Sequence, residues 1–250
     1  MFEILLCSFV FIFGLVVGSF LNCVIYRLET KESFLKGRSY CPRCKHILSW
    51  KDLVPIFSFL LLKGKCRYCQ KPISLQYPLV EFFTGILFVF TFYQFLSTNP
   101  SNLLILLCQL LVVSCLIVVF VFDLKHYLIP DQIISLAIFF SLFCQPFKIW
   151  NLALGILPSL FFLMIILISK ETWMGWGDFK LAILMGIFLG WPKILTALFF
   201  AFFSGALIGL VLIALKKKKL QSQIPFGPFL VAGTFFAFFF GQEMLSFYFQ

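Results

Sequence analysis

Charged residues fall in blocks along this chain, and the stretches between the blocks carry none. Residues 4–26, 82–122, 149–169, 194–215 and 220–242 contain no Asp, Glu, Lys or Arg. About 20 apolar residues carry a helix across a bilayer, so each run is long enough for at least one crossing. The 82–122 run exceeds one helix, and Ser97-Thr98-Asn99-Pro100-Ser101-Asn102 divides it with a turn signal. Two shorter runs, 132–147 and 179–192, are flanked by charged residues, and the second carries Lys180 near its start. The pattern predicts eight helices, over about 4–26, 77–96, 103–122, 131–146, 151–169, 178–191, 194–215 and 225–241, with ends uncertain by a few residues. Met1-Phe2-Glu3 offers no basic segment and no evident cleavage site follows, so the first run is expected to stay as a span rather than be removed as a signal peptide. No internal repeat is found.

The expected fold is therefore an all-α polytopic membrane protein, with about eight transmembrane helices and one small cytoplasmic loop. Residues 1–26 form the first transmembrane helix, 27–76 the cysteine-bearing loop, and 77–250 a seven-helix transmembrane domain. Composition agrees: of 250 residues, 62% are hydrophobic and only 12% charged, with 37 Phe against 2 His. Disorder needs the opposite balance. A soluble domain carries about 25% charged residues. The nine Cys are not spread as a disulfide framework along this long chain.

The formal charge of +10 raises the question of a nucleic-acid partner, but its placement answers against one. Segment 27–71 holds 11 of the 20 basic residues and three acids, Glu29, Glu32 and Asp52. With eight spans, Lys125, Lys170, Lys180 and Lys216 to Lys219 fall on the same side as that segment. The count is 18 basic residues against two, Lys148 and Lys193. This asymmetry places the crowded side in the cytoplasm and both termini outside. The four-lysine run then reads as an anchor for topology and anionic membrane lipids, and no nucleic-acid partner is expected.

Cys41-Pro42-Arg43-Cys44 and Cys66-Arg67-Tyr68-Cys69 are two C-x-x-C pairs separated by 21 residues. Each pair sets two thiolates on one side of a tight turn, and two such turns close a tetrahedron around Zn²⁺. A reducing cytoplasm favours metal over disulfides. A shell of four Cys leaves no open position, so the zinc is expected to be structural. Arg43, Lys45, Lys65 and Arg67 flank the pairs and favour thiolates, and His46 is a spare ligand. Cys7, Cys23, Cys108, Cys115 and Cys144 lie in apolar runs as small buried residues.

Four acids, Glu81, Asp123, Asp131 and Asp178, lie in or beside hydrophobic runs, where a carboxylate is costly and functional by default. Asp123 ends the third span as it reaches the cytoplasm, and Asp178 begins the sixth as it leaves the same face. Gly175-Trp176-Gly177-Asp178-Phe179-Lys180 sets two glycines just before the predicted helix, which allows close backbone approach and leaves amides near the carboxylate. Two carboxyls that share a proton divide the labour of peptide hydrolysis: one draws a proton from water, the other polarises a carbonyl. Pairing with Lys125 or Lys180 is the structural alternative. Asp131 is compatible with catalysis or with simple stabilisation at a helix N-terminus, and His126 reads as an interfacial residue.

These motifs, in this order, resemble the type IV prepilin peptidases, membrane aspartic proteases of the Gly-x-Gly-Asp class. The resemblance covers most of the chain. It takes in Gly18-Ser19-Phe20-Leu21-Asn22 with Tyr26-Arg27, Cys41-Pro42-x-Cys44 with His46, and Asp52-Leu53-Val54-Pro55. Gly64-Lys65-Cys66-Arg67-Tyr68-Cys69, Tyr77-Pro78-Leu79-Val80-Glu81, the two aspartate motifs, and Pro225-Phe226-Gly227-Pro228-Phe229 complete it. The resemblance implies catalytic roles for Asp123 and Asp178, supported by Gly175, Gly177, Lys180 and Asp131. It implies prepilin or pseudopilin substrates, cleaved after a glycine that follows a basic leader, at the cytoplasmic face of a bacterial plasma membrane. It further implies methylation of the new N-terminus with S-adenosylmethionine by the amino-terminal half, for which Glu81 is the candidate residue. There is no glycine-rich nucleotide fingerprint. Cys23 and Glu29 depart slightly from the pattern. A transporter or channel would also use intramembrane acids, but it is disfavoured by the missing repeat and by the clustering of acids at one face.

Overall fold

The structure is a computed structural model that describes residues 2–33, 37–98, 102–144, 149–216 and 224–248. Lys148 and Lys217 to Lys219 lie outside the described residues, as do Asn99, Pro100 and Ser101 of the predicted turn. The chain divides into two compact units, Met1–Pro100 and Ser101–Gln250.

The first unit is a pair of long helices, α1 (Phe2–Thr30) and α3 (Gln76–Thr98), joined by the cysteine-bearing loop. The loop carries a short 3₁₀ turn at Trp50–Asp52 and one short helix, α2 (Phe57–Leu61). A Cβ at Gly14 would lie 2.7 Å from the Cα of Gly85, and one at Gly18 would lie 2.7 Å from the Cα of Glu81. Glycines four apart on α1 thus bring its backbone against α3, the device by which helices associate in lipid without a hydrophobic driving force. α1 runs past its predicted end at residue 26. Its last turn contains Arg27, which is buried and donates to the carbonyls of Ser33, Gly37 and Arg38, folding the start of the loop back onto the helix.

The second unit contains α4 (Leu103–His126), α5 (Asp131–Ser141), α6 (Ile149–Ser169), α7 (Trp176–Leu189), α8 (Lys193–Ala214) and α9 (Gly227–Tyr248). Successive helices pair as α4 with α5, α6 with α7, and α8 with α9, while α7 also touches α5, α8 and α9. That central place explains the character of α7, which is buried at Leu181, Ala182 and every position from Leu184 to Leu189. A helix apolar on all sides belongs inside a bundle. Gly155 and Gly186 let α6 and α7 meet backbone to backbone: a Cβ at Gly155 would lie 2.5 Å from the Gly186 carbonyl. Hydroxyls inside the helices are satisfied locally, as where Thr84, Ser114 and Thr234 donate to the carbonyls of Val80, Leu110 and Leu230.

All eight predicted helices form, and the fold is all-helical among the described residues. Six of them, α1, α3, α4, α6, α8 and α9, are long and apolar enough to cross a membrane. The other two, α5 with 11 residues and α7 with 14, are shorter, so a count of eight full spans is not established. At 1.5 Å per residue α7 is about 21 Å long, less than a hydrocarbon core of about 30 Å.

Candidate functional site

In the first unit the two C-x-x-C pairs fold into matching knuckles. The Cys41 amide bonds to the His46 carbonyl and the Lys45 amide to the Cys41 carbonyl, both at 2.9 Å. The second knuckle repeats this with Cys66, Lys71 and Gln70, also at 2.9 Å. The turn residue after each pair, Lys45 with φ 60° and Gln70 with φ 56°, is left-handed. Sγ atoms of Cys41, Cys44, Cys66 and Cys69 lie within 4.8 Å of one another, a set that could hold a metal ion. A tetrahedral Zn–S₄ centre with bonds of about 2.3 Å needs sulfurs about 3.8 Å apart, so a small contraction would suffice. His46 takes no part in the cluster: its ring lies 3.7 Å from that of Tyr68.

Charge on these thiols is uneven. Burial pushes Cys41 up, but the amides of Cys44 and Arg43 and the neighbouring thiols outweigh it and bring it down to about 7. The His46 amide draws Cys44 down, yet burial and the Cys41 and Cys69 thiols carry it up to about 11. Burial, aided by those same neighbours, raises Cys66. One thiolate forms readily and opposes the next, so a cation is what allows the set to ionise together.

Asp52 ties this loop together. Its carboxylate accepts from Arg67 at 2.7 Å, from the Ser49 hydroxyl at 2.8 Å and from the Tyr68 hydroxyl at 3.2 Å. Burial pushes its carboxyl up, but these bonds from Arg67 and Ser49 hold it below its ordinary value. Further along, the buried Glu81 on α3 accepts the amide of Ile56 at 2.8 Å. Ile56 has φ 59° and ψ −50°, a costly conformation for a β-branched residue. Asn22 donates to the Tyr77 carbonyl at 3.0 Å, joining α1 to the start of α3.

In the second unit Asp123 sits in the last turn of α4, only 4% exposed. Its carbonyl accepts the amide of Tyr127, where φ 55° turns the chain out of the helix. Pro130 then precedes α5, and Asp131 is that helix's first residue. Asp178 lies in the first turn of α7, partly buried, with the Gly175 amide facing its carboxylate. Ile129 brings the surroundings of the two aspartates together: it meets Gly177, next to Asp178, and Gly227, where a Cβ would touch Asp123. Lys180 does not neutralise Asp178. It pairs with Asp131 at 2.7 Å, and that Asp131 side chain is 69% exposed.

The helix begins earlier than predicted, so Gly175 caps it and Gly177 lies within its first turn. Neither glycine has a positive φ. Gly177 is required by contact instead: a Cβ there would lie 2.9 Å from the Cβ of Ile129. Ile129 also reaches the start of α9, where its Cδ1 would be 3.2 Å from a Cβ on Gly227. Sequence reasoning gave neither Ile129 nor Gly227 a role. Ile129 carries no signal in so apolar a chain, and Gly227 was visible only as part of Pro225-Phe226-Gly227-Pro228.

Residues 12–95 match the family model for the bacterial peptidase A24 N-terminal domain, and residues 110–210 match that of the type IV leader peptidase family. A prepilin leader peptidase/N-methyltransferase from Bacillus subtilis is 34% identical over 96% of this chain and 97% of its own length. The chain belongs to the type IV leader peptidase family. A Legionella pneumophila protein of the same name is 31% identical, covering 95% of this chain and 92% of its own. A third, from Myxococcus xanthus, is 35% identical over 84% of this chain, which spans only 64% of that longer relative. No solved structure matches. In this family member, the N-terminal match encloses both knuckles and Glu81, and the peptidase match encloses Asp123, Asp131 and Asp178.

Proposed function

We propose that this chain removes the basic leader from prepilins or pseudopilins, cutting after a glycine at the cytoplasmic face of a bacterial plasma membrane. Asp123 and Asp178 are the catalytic pair in this reading, and the observation that carries it is the contact of Ile129 with both Gly177, beside Asp178, and Gly227, against Asp123, where both aspartates lie in the region matched by the peptidase family. The ionised carboxylate takes a proton from water as the water oxygen attacks the scissile carbonyl carbon. The protonated carboxyl donates to the carbonyl oxygen. When the tetrahedral intermediate collapses, the C–N bond breaks and the leaving nitrogen takes up a proton. Gly175 and Gly177 support the turn that presents Asp178, and Lys180 and Asp131 brace each other beside it. The test is co-expression with a prepilin and a gel shift for leader loss; processing by the Asp123→Asn and Asp178→Asn variants would overturn the assignment.

The cysteine cluster is read as a structural Zn²⁺ site held by Cys41, Cys44, Cys66 and Cys69, supplying a rigid fold to the loop over 27–76. Residues 77–250, with seven helices, then form the peptidase domain after the first transmembrane helix at 1–26. The new amino terminus is then methylated with S-adenosylmethionine by the amino-terminal half. Glu81 is the candidate for holding the amine or receiving its proton, since a buried carboxylate there reaches the loop backbone. Glu81→Gln keeps an oxygen for the Ile56 amide, so it removes the charge while sparing the turn. Mass spectrometry of the pilin is expected to show cleaved, unmethylated product; normal methylation would remove Glu81 from the site.

A further inference from the structure

We propose that Gly227 is a positioning residue for the peptidase reaction: its backbone amide, at the first turn of α9, orients the Asp123 carboxylate. The inference rests on the reading of Asp123 and Asp178 as the catalytic pair. Gly227 lies beyond residue 210, where the peptidase family match ends.

The local chain explains why this amide is directed at Asp123. The amides of Phe229 and Leu230 both bond to the Phe226 carbonyl, at 3.0 and 3.2 Å. Pro228 has no N–H. The Gly227 amide is thus the first-turn donor of α9 that faces the carboxylate. It presents both a hydrogen and the positive end of the helix to a side chain that is 4% exposed.

The glycine is there for what it touches and not for its backbone angle. Its φ is not positive, so any residue could adopt the conformation. A Cβ, however, would lie 2.5 Å from Oδ2 of Asp123 and 3.2 Å from its Cγ. The same Cβ would lie 3.2 Å from Cδ1 of Ile129. A backbone donor fixed by a helix start holds a carboxylate without any reorganisation during the reaction. Displacing a reacting group by about 1 Å can cost about 100-fold in rate.

The experiment uses the full-length protein in lipid nanodiscs and a purified prepilin, with kcat and KM measured separately. Gly227→Ala is expected to lower kcat about 100-fold while KM stays within about twofold, because the leader still binds. Ile129→Ala combined with Gly227→Ala separates positioning from packing, with Ile129→Ala alone as its baseline. The double variant relieves the contact with Ile129 but leaves the new methyl against Asp123, so its kcat should stay low. Recovery of kcat to the baseline in the double variant would overturn the proposal, as would a Gly227→Ala enzyme with normal kcat. If Gly227→Ala alone does not fold, the double variant, which restores space, carries the test. Asp123→Asn is run in parallel: full cleavage by it would refute the catalytic pair itself. An inactive Asp123→Asn beside a normal Gly227→Ala refutes only the positioning role.

Discussion

Asp123 and Asp131 stand near each other in sequence and end in opposite circumstances. Asp123 is buried at the end of α4, while Asp131 is exposed and already neutralised by Lys180 at 2.7 Å. A buried carboxylate facing a second one is disposed to share a proton; an exposed, paired one is not. Asp→Asn at 123 or at 178 is therefore expected to lower prepilin cleavage by about 1,000-fold or more, as removing one member of a cooperating set does. Asp131→Asn should cost less than about tenfold, since an exposed ion pair contributes at most about 1 kcal/mol. Cleavage rates on one substrate check all three, and an equal loss at Asp131 would reopen which acid partners Asp178. Both aspartate motifs were legible in the sequence because charge is rare in an apolar chain. The partner of Lys180 was not, because sequence spacing favours a neighbour two residues away over one on a different helix.

Among the elements, the knuckles and the helix pair of the first unit make separate claims. Serine at any one of Cys41, Cys44, Cys66 or Cys69 should release metal from purified protein that otherwise carries about one zinc per chain. Metal analysis checks this; absence of zinc with all four thiols alkylated in the native protein would refute it. Asp52 adds a pH dependence to the same loop. Its folded carboxyl titrates below its ordinary value of 3.8, so the stabilisation is present above that value and is lost as pH falls through the lower, folded one. Asp52→Asn should remove that acid sensitivity in hydrogen exchange of residues 49–68, with a small effect because the Arg67 side chain is 48% exposed. On the helix pair, Gly18→Leu meets the Cα of Glu81 and must push α1 from α3. A loss of about 1–3 kcal/mol is expected, visible as a lower melting temperature.

For the whole molecule, the sorting of charge makes the remaining prediction. Eighteen of the 20 basic residues belong to the side expected to be cytoplasmic. Single cysteines placed near either terminus of a cysteine-free variant should react with a membrane-impermeant thiol reagent from outside intact cells, and one near residue 170 should not. Reaction at residue 170 from outside would invert the topology.

Sequence alone determined that this is a helical membrane protein, that four of its nine cysteines form two C-x-x-C pairs, and that few acids were available for chemistry. Those conclusions follow from local rules: an uncharged run must satisfy its backbone internally, a C-x-x-C turn sets two sulfurs side by side, and a carboxylate in lipid is expensive. Only the tertiary structure decided that α7 is buried among its neighbours, that Glu81 holds the Ile56 amide, and that Ile129 reaches from Gly177 to Gly227 beside Asp123. Each of these depends on residues far apart in the chain meeting within a few ångströms. Apolar helices of similar composition leave such pairings open until packing selects one.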